Sequence, residues 1–537
     1  MTRILEQLLK QRGLDDDFLV PDYNSLFDPF LMHGVKEAVA RIEQAKNNGE
    51  KIIIYGDYDA DGVTSSTVLF AALKDFGCSD IEIMLPDRFK DGYGMNMPVV
   101  PEILRRGAKL VITVDCGSGS GEVIDTLTNE GVDCIVTDHH EIPHVPGSAV
   151  AVINPKRNDE EYGGRMAGVG VAFTLARALN MYKNGGKCDG QEKWLLDLVA
   201  IGTICDSMVL RDENRVMVYY GMKVLGKTRR NGLKELAKKA GANLETVDTM
   251  AIGFQLGPRI NAAGRMKSAT LALDLLLADE RARAFMLAEE LDELNRERRV
   301  AQDAAIDEIA EMIDSSDKVV VVRGDWHEGV IGIIAGRILE DYKKPCLVLT
   351  SVGNGRLKGS GRSFGDFSLA LALQNCPEGL LLSGGGHAQA CGMSIKEDDF
   401  ARFKEVINAY YESLALEDQE KYLKKQSDIV LDDLSEINLE LYQDIQKLEP
   451  FGPGNEEPIF EIDAEISEAR VLKEKHLSLK IKDKNAVEMK LMGFFAPSEW
   501  MEFKSGDKVR VQFRLMKNEW NGRVSIEGGI IGLERLG

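Results

Sequence analysis

Residues 51–62 read KIIIYGDYDADG, an apolar run that ends directly in three aspartates at alternate positions, Asp57, Asp59 and Asp61. The run is short and rich in isoleucine, which predicts a buried β-strand. Three carboxylates held so close together repel one another, and their pKa values rise unless a cation compensates the charge. The stretch therefore predicts a strand that ends in a metal site.

The same aspartate spacing opens the calcium loop of an EF-hand, D-x-D-x-D-G. That loop needs a glutamate at its twelfth position and lies between two helices. Here the twelfth position is Val68, and a strand-like run precedes Asp57. The sequence therefore excludes an EF-hand.

Further apolar runs alternate with amphipathic stretches as far as about Asp206. These runs are IEIML, KLVITV and DCIVT, at residues 81–85, 109–114 and 133–137. This βαβ repetition predicts a mainly parallel sheet, in which ligand sites form at the carboxyl ends of the strands. Asp115 and Asp138 follow two of the runs, and His139 and His140 come next to Asp138. We expect these side chains to meet in one cleft.

Aspartate and histidine ligands together favour Mn²⁺, Zn²⁺ or Fe²⁺ over Ca²⁺, and a carboxylate-rich set suits two ions a few Å apart. Such a pair activates water and neutralises the charge of a transferring phosphoryl group, so phosphoester hydrolysis is the expected chemistry. Each residue alone also has a structural explanation, because an aspartate after a strand is commonly a helix cap and a lone histidine is commonly structural. Their convergence at several strand ends favours the metal site.

The pattern along the chain predicts four parts. They are an N-terminal segment with the first α/β domain (1–266), a long connector helix (267–316), a second α/β domain (317–420) and a small β-barrel (421–537). A pair of surface helices with a break is the alternative to the connector.

The composition is that of a folded multidomain enzyme, with 44% hydrophobic and 28% charged residues in 537. The net charge of −21 is the opposite of what a non-specific nucleic-acid binder carries, so basic residues would have to gather in one cleft. No apolar run approaches the roughly 20 residues of a membrane span, and no signal-peptide segment opens the chain. We expect a cytoplasmic protein without membrane contact. The eight cysteines include no CxxC pair, which argues against a disulfide scaffold or structural zinc.

Three motifs resemble, in order, the signatures of the DHH phosphoesterase superfamily. They are residues 54–65 (IYGDYDADGVTS), 114–117 (VDCG) and 137–140 (TDHH). Further segments resemble the RecJ family of single-stranded-DNA exonucleases within it. They are residues 154–157 (NPKR), 167–173 (AGVGVAF), 257–265 (GPRINAAGR), 326–332 (WHEGVIG), 359–363 (GSGRS), 384–388 (GGGHA) and 448–455 (LEPFGPGN). The resemblance implies a parallel-sheet DHH domain, a connector helix, a DHH-associated α/β domain and a C-terminal OB-fold barrel. In that barrel, Trp520 and Phe513 would be candidates for stacking on bases, although a core position suits Phe513 equally well.

The resemblance also implies the residues of the site. Two Mn²⁺ or Mg²⁺ ions would be held by Asp57, Asp59, Asp61, Asp115, His139 and Asp206. Asp138 would orient its neighbours, while His140 would contact the scissile phosphate and help the leaving oxygen, with a metal-ligand role as the alternative. DNA phosphates, including the 5′ end, would be bound by Arg88, Arg259, Arg265, Ser360, Arg362 and His387. The family usually reads D-x-V-P-L where residues 206–210 are DSMVL, and the missing proline puts the local backbone in question more than the carboxylate.

The activity implied is hydrolysis of single-stranded DNA from its 5′ end by two-metal-ion catalysis, releasing 5′-mononucleotides in DNA recombination and repair. The partners implied are single-stranded DNA, a single-strand-binding protein and a helicase, with the chain as a monomer. Two alternatives remain open: a DHH phosphodiesterase for short oligonucleotides or cyclic dinucleotides, and a non-catalytic DNA-replication scaffold. The barrel-like tail favours a long polymer over the first, and the complete set of acidic motifs counts against the second.

Overall fold

The apolar runs of the first domain form a five-stranded sheet. In a computed structural model of the chain its strands are β1 Ile52–Tyr55, β2 Ile81–Met84, β3 Leu110–Val114, β4 Asp133–Thr137 and β5 Ala151–Ile153. All pairings are parallel, in the order β2-β1-β3-β4-β5. The central strands β1 and β3 are wholly buried, as expected where helices cover both faces of a parallel sheet. The predicted parallel sheet is confirmed, and β5 is a strand that the sequence reading did not include.

The structure describes residues 1–92, 94–162, 164–314, 316–416, 419–422, 425–520 and 522–536, without the side chains of Glu420 and Trp520. Within them the α-helices are α1 Arg3–Gln11, α2 Val35–Asn48, α3 Ala60–Phe76, α4 Val100–Arg105, α5 Gly121–Asn129, α6 Gly168–Lys183, α7 Leu196–Cys205, α8 Asp212–Leu225, α9 Asn231–Ala240, α10 Thr249–Ala251, α11 Gly257–Met266, α12 Thr270–Leu277, α13 Arg281–Met312, α14 Ile331–Tyr342, α15 Leu369–Gln374, α16 Phe400–Ser413 and α17 Leu439–Gln446. A π-helical turn at Ile252–Leu256 joins α10 to α11. No helix in these ranges is both long and apolar enough to cross a membrane.

Alternate residues of β1 enter separate apolar clusters on the two faces of the first sheet. Ile52 and Ile54 pack in the cluster that contains α3, α6 and α7, whereas Ile53 and Tyr55 pack in the smaller cluster that contains α4 and α5. This two-sided burial fixes the carboxyl ends of the strands relative to the helices that follow them. The site described below lies at those ends.

The predicted connector is interrupted at residues 278–280, which separate α12 from α13. The 32 residues of α13 span about 48 Å at the rise of an α-helix. Its C-terminal part holds the second domain, because the indole N–H of Trp326 donates to Glu308 Oε2 at 2.8 Å and Ala305 and Ile309 share an apolar cluster with that domain.

The second domain is built on a mixed sheet of β6 Val320–Gly324, β7 Cys346–Ser351, β8 Arg356–Arg362, β9 Leu381–Gly386 and β10 Ala390–Lys396. The strand order is β6-β7-β8-β10-β9. Only the β6–β7 pair is parallel, and the other pairs are antiparallel. Apolar clusters cover both faces.

The C-terminal part is a barrel of β11 Ile429–Val430, β12 Phe460–Leu472, β13 His476–Lys482, β14 Glu488–Gly493, β15 Lys508–Trp520 and β16 Arg523–Arg535. Pairing of β12 with β15 closes it. Phe513 is fully buried and stacks on Phe460, with ring centroids 5.9 Å apart, so Phe513 is a core residue and offers no face to a base. The side chain of Trp520 lies outside the described part of the chain.

The N-terminal helix α1 packs into the barrel at the other end of the chain. Ile4, Leu5, Leu8 and Leu9 are buried in the same apolar cluster as the barrel strands. The two ends of the chain therefore share one hydrophobic core.

Candidate metal centre

The first aspartate motif forms the turn from β1 into α3. Asp59 is the N-cap of α3, and its Oδ1 accepts hydrogen bonds from the N–H groups of Asp61 at 2.9 Å and Gly62 at 3.1 Å. A Cβ on Gly62 would lie 2.5 Å from the carbonyl oxygen of Asp57, so the turn closes only around glycine. Capping occupies one oxygen of Asp59 and leaves the other for a ligand.

Asp61 and Asp206 approach the same cleft from two helices. The carboxylate of Asp61 accepts from the N–H groups of Gly168 at 2.8 Å and Val169 at 2.9 Å, at the start of α6. Asp206 is the C-cap of α7. Burial and the charge of Asp206 raise the pKa of Asp61, while burial and the charge of Asp59 raise the pKa of Asp206 to about 7.

Asp115 and His139 lie at the centre of the cleft. Asp115 follows β3 with a φ of 60°, a left-handed conformation that is uncommon for a residue with a side chain. The Nε2 atom of His139 lies 3.1 Å from Asp115 Oδ1, 3.6 Å from Asp206 Oδ2 and 3.9 Å from Asp61 Oδ2. Burial and the neighbouring His140 lower the pKa of His139 to about 4, so its ring is neutral, as a metal ligand must be.

Ligand atoms within 4.8 Å of one another form three overlapping sets. The sets are Asp57, Asp59 and Asp115; Asp61, His139 and Asp206; and Asp115, His139 and His140. All six predicted ligands belong to at least one set, and Asp115 and His139 each belong to two. The structure thus brings the six together with the overlap that a two-metal site needs. Their binding of ions stays a prediction.

The electrostatics of this cluster favour a cation. Burial raises the pKa values of Asp57 and Asp115 well above their ordinary range, and the charges of neighbouring aspartates raise them further. Asp57 Oδ1 is buried and has no hydrogen-bond partner in the described part of the chain. A buried acceptor without a donor is costly. The carboxylate and imidazole donors present here therefore fit a pair of divalent ions.

We expect the thermal stabilisation by Mn²⁺ to grow as the pH rises from about 5 to about 7.5. The raised pKa values of Asp57, Asp61, Asp115 and Asp206 mean that the folded, metal-free chain holds protons which the unfolded chain releases. The stability that these carboxyl groups give to the metal-free chain is complete below their pKa in the unfolded chain. It is lost as the pH rises through their pKa in the folded chain. His139, with a lowered pKa, acts oppositely but is one group against four.

The measurement is the difference in Tm between Mn²⁺ and EDTA at several pH values in that range. A difference that stays constant or falls with pH would contradict the assignment of these carboxylates as the ion's ligands.

Asp138 and His140 form a hydrogen-bonded pair beside the cluster. Asp138 Oδ1 accepts from the backbone N–H of His139 at 2.7 Å and lies 2.8 Å from His140 Nδ1. Burial alone would raise the pKa of Asp138, but its hydrogen bonds lower that pKa to about 2. Burial alone would lower the pKa of His140, but the carboxylate of Asp138 raises it. Asp138 is therefore an anion whose carboxylate faces Nδ1 of His140. This is the arrangement expected of a residue that orients its neighbour.

Asn154 is hydrogen-bonded to the backbone of His140 and to Ser118, a role that the sequence reading did not assign. It is fully buried directly after β5. Its Nδ2 donates to the His140 carbonyl oxygen at 2.9 Å and to Ser118 Oγ at 2.8 Å, and the N–H of Ser118 donates to Asp138 Oδ2. The sequence signal was the resemblance of residues 154–157 (NPKR) to the RecJ family, because β5 itself was not predicted.

Replacing Asn154 by Ala is expected to lower kcat by roughly 10- to 100-fold, because residues that orient ligands typically contribute that much. The matched control is Asn158→Ala, at an exposed position in the same loop. Both variants would be assayed on a single-stranded substrate over a Mn²⁺ titration. Equal activity of the two variants would remove Asn154 from the site.

Three arginines from different parts of the chain meet beside the metal cluster. Arg88 lies over the ring of Tyr58 at 4.9 Å. Burial and the charge of Arg88 lower the pKa of Arg265 to about 10, while Asp59 acts in the opposite direction. Burial also lowers the pKa of Arg362, with a smaller contribution from Arg88. Like charges held this close favour binding of an anion such as a phosphate.

This arginine cluster spans the junction of the two α/β domains. Arg265 Nη1 donates to the Gly329 carbonyl oxygen at 3.2 Å, and a Cβ on Gly329 would lie 2.0 Å from the Arg265 carbonyl oxygen. Arg362 Nη1 donates to Ser360 Oγ at 3.3 Å. Phe89 meets His327 edge to face at 5.5 Å, a contact across the junction that the sequence reading missed.

Two other residues predicted to bind phosphates have their recorded contacts with groups outside this cluster. Arg259 is paired with Asp292 Oδ1 at 2.8 Å and donates from Nη1 to the Gln255 carbonyl oxygen. His387 is exposed, and its backbone N–H donates to the Ala390 carbonyl oxygen. Their phosphate-binding roles stay predictions.

Comparison with known proteins identifies the family. The chain matches the DHH family N-terminal domain over residues 51–203, the DHHA1 domain over residues 316–413 and the RecJ OB domain over residues 428–530. It is 35% identical to the single-stranded-DNA-specific exonuclease RecJ of Bacillus subtilis, an alignment that covers 97% of this chain and 67% of that protein. The chain belongs to the RecJ family. The predicted fold class, with its two α/β domains and OB barrel, is confirmed.

Other RecJ proteins extend the likeness over both chains. The Haemophilus influenzae single-stranded-DNA-specific exonuclease RecJ is 32% identical, with 98% of this chain and 95% of that protein covered. The crystal structure of Thermus thermophilus RecJ in complex with Mn²⁺ superposes with a TM-score of 0.86 at 31% identity, and covers 99% of this chain and 76% of that one. Asp206 and Arg265 lie between the matched DHH and DHHA1 domains, and their roles in the site stay predictions.

Proposed function

We propose that this RecJ-family chain is a metal-dependent exonuclease specific for single-stranded DNA, which degrades the strand from its 5′ end and releases 5′-mononucleotides. The observation that carries the proposal is the position of the arginine cluster directly beside the carboxylate and histidine cluster. Gly264, next to Arg265, packs on the turn of the aspartate motif, where a Cβ would lie 2.5 Å from the carbonyl oxygen of Tyr58, and Arg88 lies over the ring of the same tyrosine. One cluster can hold a terminal phosphate while the other faces the next phosphodiester.

The ions proposed are Mn²⁺ or Mg²⁺, held by Asp57, Asp59, Asp61, Asp115, His139 and Asp206. Two such ions would supply an activated water and neutralise charge on the transferring phosphoryl group. The relatives are consistent with this choice, since the Thermus thermophilus RecJ structures contain Mn²⁺ or Mg²⁺.

The chain's own residues supply binding and proton transfer. Arg88, Arg265, Ser360 and Arg362 bind the 5′-terminal phosphate, which sets the polarity of digestion. His140 holds its proton to a higher pH than a free imidazole because Asp138 faces Nδ1, and it donates that proton from Nε2 to the leaving 3′ oxygen. Asp138 and Asn154 fix the ring for this step.

The junction between the two α/β domains admits one strand and excludes a duplex. This is supported by the close contact of the two domains, since a Cβ on Gly329 would lie 2.0 Å from the Arg265 carbonyl oxygen and Phe89 meets His327. An enzyme limited to single strands needs another protein to separate or protect its substrate. We therefore propose a helicase and a single-strand-binding protein as partners of a monomeric, cytoplasmic enzyme.

The experiment is digestion of a single-stranded DNA labelled at either end, with Mn²⁺, Mg²⁺ or EDTA, beside RNA, duplex DNA and a dinucleotide. Metal-dependent release of mononucleotides from the 5′ end of DNA is the expected result. Activity confined to the dinucleotide would replace the proposal by a phosphodiesterase for short oligonucleotides. No activity on any substrate would leave a DNA-replication scaffold.

A further inference from the structure

A cavity of about 660 Å³ lies at the far end of α3 from the metal cluster. Its lining comes from the C-terminal half of α3, the loop before α9 and the end of α12, and includes Phe70, Lys74, Trp194, Arg229, Arg230 and Asn231. From Asp61 to Lys74 the helix rises about 20 Å. The cavity is therefore separate from the site described above, and its volume is that of a typical small-ligand pocket, about 300–1,000 Å³.

The cavity gathers positive charge in a chain whose net charge is −21. In the described part of the chain neither Lys74 nor Arg229 forms an ion pair, and both side chains are exposed. Arg230 is anchored by Nε, 3.4 Å from Oδ1 of Asp197. Asp197 is buried and also accepts from Thr228 Oγ1 at 2.6 Å, so its charge is already shared within the protein.

The helix α9 begins at this cavity and adds to its positive potential. Arg230 is the N-cap and gives no side-chain cap to the helix, so the first amides of α9 have no side-chain acceptor from it. The N-terminal end of a helix carries a partial positive charge that favours anions. Of the carboxylates that line the cavity, Asp197 is engaged as described, and Asp279 is exposed at the rim.

Two aromatic rings line the cavity beneath two of these cations. The guanidinium of Arg229 lies over the Trp194 ring, 3.7 Å from its centroid, and the ammonium of Lys74 lies over the Phe70 ring at 4.7 Å. Both rings are half-buried and line the cavity. Planar guanidinium and aromatic groups stack on nucleobases without reading their identity, while lysine and arginine bind phosphates.

We propose that this cavity is a second ligand site, which binds a free nucleoside phosphate with the phosphates at Lys74, Arg229 and Arg230 and the base against Trp194 and Phe70. A volume of this size accommodates one nucleotide. The proposal does not depend on the nuclease activity. Since α3 carries Asp59 and Asp61 at its other end, the same helix lines both sites.

The test is isothermal titration of the full-length protein with ADP in EDTA. The double variant Lys74→Gln/Arg229→Gln is expected to weaken ADP binding by at least about tenfold, because it removes two charge-assisted contacts. Lys193→Gln is the matched control, since Lys193 lies over the ring of Tyr23 at 4.3 Å and does not line the cavity. Arg362→Gln is the second control, because it alters the arginine cluster at the nuclease site. Both controls should bind ADP as the wild type does.

Four results would overturn the proposal. They are the absence of ADP binding, equal ADP affinity in the double variant, loss of ADP binding in Arg362→Gln, and binding of inorganic phosphate as tight as that of ADP. A decamer of thymidylate titrated in parallel separates the free nucleotide from a strand. If the double variant loses affinity for the decamer and not for ADP, the occupant is a nucleic acid and the proposal is wrong. Circular dichroism and Tm of the double variant verify its fold.

Discussion

Changing Asp115 to Asn is expected to abolish nuclease activity, with a fall in kcat of at least about 1,000-fold, while single-stranded DNA still binds. Asp115 belongs to two of the three ligand sets, so loss of its charge weakens both ion positions. Asparagine has the same shape and, like aspartate, tolerates the φ of 60° found here. The measurements are nucleotide release from a labelled strand and fluorescence anisotropy of a strand in EDTA.

Asp125→Asn is the control for this change, because Asp125 is an exposed residue of α5. It should keep the activity and the Mn²⁺ response of the wild type. Retained activity in Asp115→Asn would remove the central ligand and with it the two-ion assignment.

The second large effect is expected from Arg362→Gln, which should remove the preference for a 5′-phosphorylated strand. A hydrogen bond to a charged group contributes about 1.5–3 kcal/mol, so kcat/KM on the 5′-phosphorylated strand should fall by roughly 10- to 100-fold. A strand with a 5′ hydroxyl makes no such contact and should be cleaved much as before. The measurement compares both strands in parallel with each variant.

Arg356→Gln serves as the matched control, because Arg356 is exposed at the other end of β8. It should leave the ratio between the two strands unchanged. If Arg362→Gln slows both strands equally, the arginine contributes general affinity for the strand and does not recognise its end.

Much of the first domain follows from local pattern. The run from Ile52 to Tyr55 is uniformly apolar because helices cover both of its faces, and that burial can be recognised without a structure. β5 is only three residues long, too short for a periodic signal. A pair of helices with a break was the open alternative to the connector, but the position of the break could not be predicted, because residues 278–280 include neither glycine nor proline, the usual markers of a helix end.

Five of the six candidate ligands follow predicted strands, so topology predicted that they meet, whereas Asp206 was implied only by the family resemblance. The pairing of the arginines with other groups of the protein could not be predicted. Arg259 and Arg265 lie in one motif of the sequence, yet Arg259 is paired with Asp292 of α13, while Arg265 reaches the Gly329 carbonyl of the next domain. Which arginine stays available to a ligand is decided by residues distant in the chain.

The shared core of α1 and the barrel sets the order in which the protein can be completed during synthesis. Ile4, Leu5, Leu8 and Leu9 are synthesised before the barrel strands that bury them. The nascent chain therefore carries an amphipathic helix without its partner while both α/β domains fold, and this core closes only after the barrel strands have been made. A chain that stops before the barrel would keep that helix exposed, so truncation at this point is expected to cause aggregation rather than to yield a simplified enzyme.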